Sequence, residues 1–401
     1  MLAVLVKLFG LPQVGVAEDI VQETLLAALE TWKLRGMPDQ PRAWLYRTAK
    51  NKTIDFLRRE RNFQANIVPN LHTAAAQHAT PDRWLDNFFL DAEIEDAQLR
   101  MMFACCHPAI PTEAQLVLML RSLCGLSIRE IAAAFLQPEE TMAKRLYRAK
   151  EKIRQENLSL EVPAGAHLAP RLDAVLQAIY LLFNEGYKSA SEASVIRREL
   201  CEEALRLGDL LLRHPASQLP KTYALLALMC FQASRFDARL DESGAIILLE
   251  NQDRSRWNQS LISAGYAHLQ RSFQGNEITD YHLEAAIASY HASAPGFAQT
   301  NWKSIFYCYD LLLKINPSPF VALNRAIALG YAEGPQAGIS ALQSISGLEQ
   351  HYLYHAALGD FFVKLENTAA ARQAFKTALK LAQLPAECRV LELKLAALKP
   401  S

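Results

Sequence analysis

Leu126–Arg154 reads LSIREIAAAFLQPEETMAKRLYRAKEKIR, and the spacing of its apolar residues decides how the chain folds. Wound at 3.6 residues per turn, Glu140–Arg154 puts Met142, Leu146, Ala149 and Ile153 on one stripe. Thr141, Lys144, Arg145, Arg148 and Lys152 gather on the opposite side. A helix with an apolar stripe for a partner and cations facing out suits the major groove of DNA. The preceding segment opens with Ser127 and carries Glu130 three residues later, the pattern of a capping box. Its Ile128, Ile131, Ala132 and Phe135 supply the partner stripe. Pro138, in the link Leu136–Glu139, suits the entry to a second helix. The spacing therefore predicts a helix-turn-helix. An ordinary helical hairpin with a solvated basic face fits the same pattern, so the rest of the chain has to decide between them.

The chain has 401 residues, 51% apolar and 21% charged, which is room for two or three domains with real cores. Its 42 basic and 42 acidic residues cancel, so affinity for nucleic acid has to come from local patches. Lys33–Arg61 carries a net charge of +6 and Thr141–Arg154 a net of +5, with a net of −4 between them over His78–Arg100. The opening MLAVLVKLFG lacks a basic leader and a small-residue cleavage site, and is expected to be a packing helix. No apolar run approaches the roughly 18 residues of a membrane span. Seven scattered cysteines point to a reducing cytoplasm without a disulfide framework.

Helical periodicity runs nearly end to end, which makes the expected fold class all-α. A helix around Val16–Trp32 leads through a polar turn, Lys33–Gln40, to a second helix over about Pro41–Arg61. On that second helix Leu45, Ala49 and Phe56 share a stripe flanked by Ile54 and Leu57, while Arg47, Asn51, Asp55 and Arg58 share the other side. A basic helix with Trp44 and Tyr46 near its start suits charge neutralisation plus base stacking on opened DNA. Residues 66–90, with Pro69 and Pro81 and no periodic stripe, read as a linker, and Ser159–Pro170 as a further boundary. Beyond it lies a string of helices. HAALGDFFVKLENTAAARQAFKTALKLA, with Leu358, Gly359, Phe362, Ala371, Phe375 and Ala378, follows the small/large pattern of a tetratricopeptide repeat. Phe320–Ser344 reads as a degenerate second unit.

AEDIVQETLLAALETW followed by PRAWLYRTAKNKTIDFLRRERN resembles region two of bacterial extracytoplasmic-function (ECF) sigma factors, and Glu113–Arg154 resembles their region four. With MFACCHPAIP, AIYLLFNEGY, LLENQDRSRWN and LNRAIAL, the whole chain resembles the sigma-factor group that carries a C-terminal tetratricopeptide-like extension. The resemblance implies two small helical sigma domains and a large domain of helical pairs: region two over 1–66, a linker over 67–93, region four over 94–158, and the extension over 165–401. It implies core RNA polymerase and promoter DNA as partners, a docking role for the extension, no cofactor, and no enzymatic step. By it, Glu18, Asp19, Gln22 and Glu23 face core polymerase. Arg47, Lys50, Asn51, Asp55, Arg58 and Arg59 face the melted −10 element. Thr141, Lys144, Arg145, Arg148 and Lys150 read the −35 duplex. The family's Thr-apolar-Lys-Ser-Arg pattern is here Thr141-Met142-Ala143-Lys144-Arg145, so the cation moves by one position. The chain also starts close to its first region-two helix, which is expected to be short.

Other signals weigh less. Adjacent Cys105 and Cys106 beside His107 lack zinc-ligand spacing and read as buried thiols at a helix end. Glu250, Asp253, Arg254, Arg256 and Trp257, after the apolar run Ala245–Leu249, form the densest polar cluster of the extension, expected to fix packing or an interface. Asn184–Tyr187 is expected to end a helix, with Gly186 at its C-cap. The aromatics of Trp302–Tyr309 read as core. The alternative function is a one-component helix-turn-helix regulator with a ligand-sensing helical domain. An enzyme built on the Glu250–Trp257 cluster is a further rival.

Overall fold

The computed structural model describes residues 1–59, 90–135, 137–163, 168–187, 197–241 and 246–398, with the side chains of Arg58, Arg59 and Ala134 outside that set. The linker expected at 67–93 falls almost wholly outside the described residues. Among those residues the secondary structure is helical apart from one isolated bridge, Leu240 to Ile246. None of the helices is long and apolar enough to cross a membrane. The chain divides into two compact units, Met1–Ser217 and Gln218–Ser401.

The first unit holds α1 (Leu2–Phe9), α2 (Val14–Arg35), α3 (Pro41–Arg59), α4 (Asp91–Cys105), α5 (Thr112–Ser122), α6 (Ile128–Ala134), α7 (Glu139–Gln155), α8 (Leu168–Tyr187) and α9 (Arg198–Leu212). The apolar opening segment is the packing helix α1, with Val4, Leu5, Val6, Leu8 and Phe9 buried. Phe9 meets Phe56 edge-on at 5.6 Å between ring centres, which joins α1 to α3. The core stripe of α3 is shifted from the expected Leu45, Ala49 and Phe56: Ala49, Thr53, Ile54 and Leu57 are buried, while Leu45 and Phe56 are half-buried. A polar residue fits this core because the Thr53 hydroxyl donates to the Ala49 carbonyl at 2.8 Å. Thr24 of α2 does the same with Ile20 at 2.7 Å.

Helices α8 and α9, assigned from sequence to the C-terminal domain, pack in the first unit, α8 against α4 and α5 and α9 against α8 and α4. Leu172, Val175, Leu176, Ile179 and Leu182 of α8 are at most 1% exposed. Gly186 is a helical residue of α8, not its C-cap. Its reason is close approach: a Cβ there would lie 2.7 Å from the Arg197 carbonyl oxygen and 2.9 Å from the Cys201 nitrogen. Both are backbone atoms, which do not swing aside as a flexible side chain does.

The second unit stacks α10 (Pro220–Ala233), α11 (Gln259–Ser272), α12 (Asp280–Ser293), α13 (Trp302–Ile315), α14 (Pro319–Glu333), α15 (Pro335–Gln343), α16 (Tyr352–Lys364), α17 (Thr368–Leu381) and α18 (Pro385–Ala397). The repeat-like segment forms the helical pair α16–α17, with Ala371, Phe375 and Ala378 buried. Gly359 lets the two helices close, since its Cβ would sit 2.4 Å from the Phe375 ring. The degenerate unit is α14–α15, whose Gly330 and Gly338 together receive the ring of Phe361. Small residues at these positions are slots for rings, which is how neighbouring short helices of the unit pack closely.

Candidate nucleic-acid interface

The helix-turn-helix starts at the expected capping box. Glu130 accepts from the Ser127 backbone N–H at 2.7 Å, and the Ser127 hydroxyl accepts from the Glu130 N–H at 3.2 Å. Ile131 and Ala132 of α6 are buried against Met142, Ala149 and Ile153 of α7, and Ile128, Phe135 and Leu146 are half-buried. Pro138 stands at the N-cap of α7, just outside the first turn.

With that stripe buried, the opposite side of α7 is displayed. Glu140, Ala143, Lys144, Tyr147 and Arg148 line one surface depression. Lys144 is exposed and reaches back to Glu140 at 2.7 Å. Arg148 is exposed, and Tyr147 is 67% exposed between the two cations. Thr141 is half-buried at the start of the helix. Arg145 turns to Glu113 of α5 at 2.5 Å, and Lys150 turns to Glu18 of α2 at 2.6 Å. The five residues expected at the −35 element therefore separate. Lys144 and Arg148 share the displayed face, while Arg145 and Lys150 are held in ion pairs to other helices. Tyr147 and Ala143 complete the face and escaped sequence reading, because neither is a cation and neither belongs to the core stripe.

On α3, Arg47, Asn51 and Asp55 are exposed at i, i+4 and i+8, one continuous row. Lys50 is half-buried, and the side chains of Arg58 and Arg59 lie outside the described residues. The aromatics expected to stack on bases, Trp44 and Tyr46, stand half-buried in the first turns of α3. Trp44 packs edge-on against Trp32 at 5.5 Å, and Tyr46 is half-buried with the Arg42 guanidinium 5.8 Å from its ring centre. Their rings have module partners already.

On α2, Asp19, Gln22 and Glu23 are exposed, with Glu23 paired to Lys52 of α3 at 3.1 Å. Glu18 is half-buried because it faces Lys150. The same helix exposes Leu25, Leu26 and Leu29 at 46%, 59% and 69%. Burial of apolar side chains would ordinarily favour these leucines for the core. Here Val14, Ala17, Ile20, Thr24 and Ala28 take that place and leave the leucines outward.

The two modules touch. Lys7 of α1 donates to Glu93 at 2.6 Å and to Asp96 at 2.7 Å, both on α4. Burial acts to raise the Asp96 carboxyl, but the bonds from Arg100 and Lys7 outweigh it and hold that acid below its ordinary range. A third layer reaches the helix-turn-helix from α8–α9: Arg197 pairs with Glu130 at 2.7 Å, and Arg206 donates to Gln98 at 3.0 Å. Burial acts to raise the Glu130 carboxyl too. The Ser127 bonds and Arg197 outweigh it and lower Glu130 from 4.5. A depressed folded pKa adds stability that is complete above the unfolded value and is lost as pH falls through the folded one. Wild type is therefore expected to exceed Glu130→Gln by up to about 1 kcal/mol at neutral pH. The gap is expected to vanish below the carboxylate range, as measured by thermal unfolding at a series of pH values. A gap that persists at acid pH would refute a charge-based role.

Cys105 and Cys106 are buried thiols at the end of α4, and burial pushes Cys106 up to about 12. His107 is occupied locally, its Nδ1 accepting from the Ala109 N–H at 3.1 Å. Among the described residues no group of His, Cys, Asp and Glu is arranged to hold a metal ion.

Comparison with known proteins gives three matches in chain order. Residues 2–63 match the sigma-70 region 2 family, 100–153 match sigma-70 region 4, and 171–273 match a family of unknown function, DUF6596. The chain is 37% identical over 385 residues to the uncharacterized protein R00370 of Rhizobium meliloti (strain 1021), covering 94% of this chain and 89% of that protein. It is 30% identical over 139 residues to the ECF RNA polymerase sigma factor SigL of Mycobacterium tuberculosis (strain ATCC 25618 / H37Rv), covering 34% of this chain and 72% of that one. No solved structure matches the chain.

Proposed function

We infer how this chain divides its work from the premise that it belongs to the ECF RNA polymerase sigma factors of the sigma-70 family. Such a factor binds core RNA polymerase and brings it to promoter DNA, and the family is not enzymatic. In this reading α2 docks on polymerase through Asp19, Gln22 and Glu23, with Leu25, Leu26 and Leu29 as the apolar centre of the patch. The row Arg47–Asn51–Asp55 meets the opened −10 strand, with Lys50, Arg58 and Arg59 on the same helix. Lys144, Tyr147 and Arg148 enter the −35 major groove.

The extension, with its first two helices fixed on region four, acts in cis to favour a closed form. The observation that carries this reading is the contact between modules. Promoter elements named −10 and −35 are 25 base pairs apart, roughly 85 Å at 3.4 Å per step. Modules joined through Lys7 at 2.6 Å cannot meet both elements at once. Glu18 and Lys150 make the same point at residue scale, since each is bonded to the other while expected to bind a different partner. The chain between Arg59 and Leu90, about 30 residues, reaches at most about 100 Å, enough for the modules to part.

Polymerase binding then opens the first unit. Lys7→Ala removes a clasp without touching a residue assigned to DNA or polymerase. Its loss is worth on the order of 1 kcal/mol, about fivefold in the closed-to-open ratio. Run-off transcription with core polymerase at limiting protein is expected to rise by up to that factor. Unchanged or lower transcription at unchanged polymerase affinity would remove the closed form from the account. A chain that fails to co-purify with core polymerase would remove the assignment of α2.

A further inference from the structure

We propose that the second unit binds a small molecule through its phosphate or carboxylate group, at a site formed by Arg254, Trp257, Arg235 and His291. The site lies on the connection from Ser234 to Asn258, between α10 and α11, whose described residues form turns, three short 3₁₀ helices and the isolated Leu240–Ile246 bridge. Long connections on a rigid scaffold often carry function.

The Arg254 side chain folds inward. Its Nη1 donates to the His291 carbonyl, and its guanidinium carbon stands 4.2 Å from the Trp257 ring centre. A second guanidinium, Arg235, lies 5.3 Å from the same ring, with its Nε bonded to Gln252 at 3.1 Å. Trp257 is 3% exposed. Four nitrogens here are covered and have no hydrogen-bond partner: Nε and Nη2 of Arg254, Nε1 of Trp257 and Nδ1 of His291. Among the described residues no carboxylate pairs with Arg254.

Buried cations are ordinarily paired, and buried N–H groups ordinarily bonded. This place has two guanidiniums on one ring and free N–H groups from a guanidinium and an indole. The missing chemistry is an acceptor with negative charge. A phosphoryl or carboxyl group supplies it, accepting from the Arg254 edge and the indole N–H. Burial, with Arg235 and Arg254 nearby, lowers His291 to about 3, so at neutral pH it is an uncharged member of the site. The donors are covered, so the anionic group enters by displacing the side chains that cover them. Two residues of the polar cluster expected to fix packing or an interface, Arg254 and Trp257, are in this reading part of a receptor.

The test uses the full chain and follows thermal unfolding and calorimetric titration with sodium phosphate and with sodium acetate, against sodium chloride at equal ionic strength. A saturable response beyond chloride is expected from at least one anion. A response to phosphate alone identifies a phosphate ester, and one to acetate alone a carboxylate. Arg254→Gln is expected to weaken the response by roughly tenfold or more. Trp257→Phe, which keeps an aromatic face and loses the N–H, is expected to weaken it several-fold, and it serves alone if Arg254→Gln does not fold. No saturable response to either anion, or one equal in both variants and the wild type, overturns the proposal.

Discussion

A chain ending at Pro163 is expected to lose the cooperative unfolding of its region-four helices, while a chain ending at Ser217 keeps it. The cut at 163 looks natural from sequence, because it falls in the proline-rich boundary before the extension. It removes α8, whose Leu172, Val175, Leu176, Ile179 and Leu182 are buried to within 1%. Five such aliphatic side chains contribute about 1.5–3 kcal/mol each, on the order of 10 kcal/mol together. Whole domains are stable by only about 5–15 kcal/mol. The cut also strips Arg197 from Glu130 and Arg206 from Gln98. Circular dichroism melts of the two truncations, followed by run-off transcription with core polymerase, check the expectation. Equal melts would mean that α8 and α9 only rest on the sigma modules. Because of this packing, deletion of everything after 163 cannot isolate regulation by the extension, whereas deletion after 217 isolates the contribution of the second unit.

Replacing Lys144 and Arg148 together by alanine is expected to weaken holoenzyme binding to a −35 duplex by about 100-fold at moderate salt. Each displayed cation accounts for roughly one released counterion, so the slope of log affinity against log salt is expected to fall by about 1.8. Tyr147→Ala is expected to act differently, costing about tenfold with an unchanged salt slope and poorer discrimination among −35 sequences. Arg145→Ala serves as the contrast. Its guanidinium is engaged by Glu113, so its loss falls first on the α5–α7 contact. Titrations over a salt series with matched and mismatched duplexes separate these outcomes. An Arg145 effect on the salt slope as large as that of Lys144 would place the groove face elsewhere on α7.

What the sequence made legible was local. The capping box spans only Ser127 to Glu130, and the α7 stripe repeats within one helix, so both are legible in the sequence alone. The helical pair α16–α17 was readable for the same reason, since Gly359 and Phe375 sit within one repeat pattern. Long-range choices were not legible. On α2 two stripes compete, one with leucines and one with Ala17, Ile20, Thr24 and Ala28, and only the neighbours of the helix decide which is covered. Thr53 took a core place because its hydroxyl could return to its own helix. Gly186 read as a helix end, because its need for space comes from the backbone of α9. Lys150 and Glu18 lie 132 positions apart, and nothing near either residue announces the other.

The carboxylate of Glu130 serves two masters, the first turn of the DNA-reading motif and an arginine from the appended helices. This limits how freely such proteins can be recombined. A region-four segment borrowed from a sigma factor without the extension would arrive with an outer surface never shaped to lie under α8 or to receive Arg197. Promoter preference should instead be portable at a finer grain, by exchanging only the outward residues of α7 and leaving Ser127, Glu130 and the inner stripe as they stand.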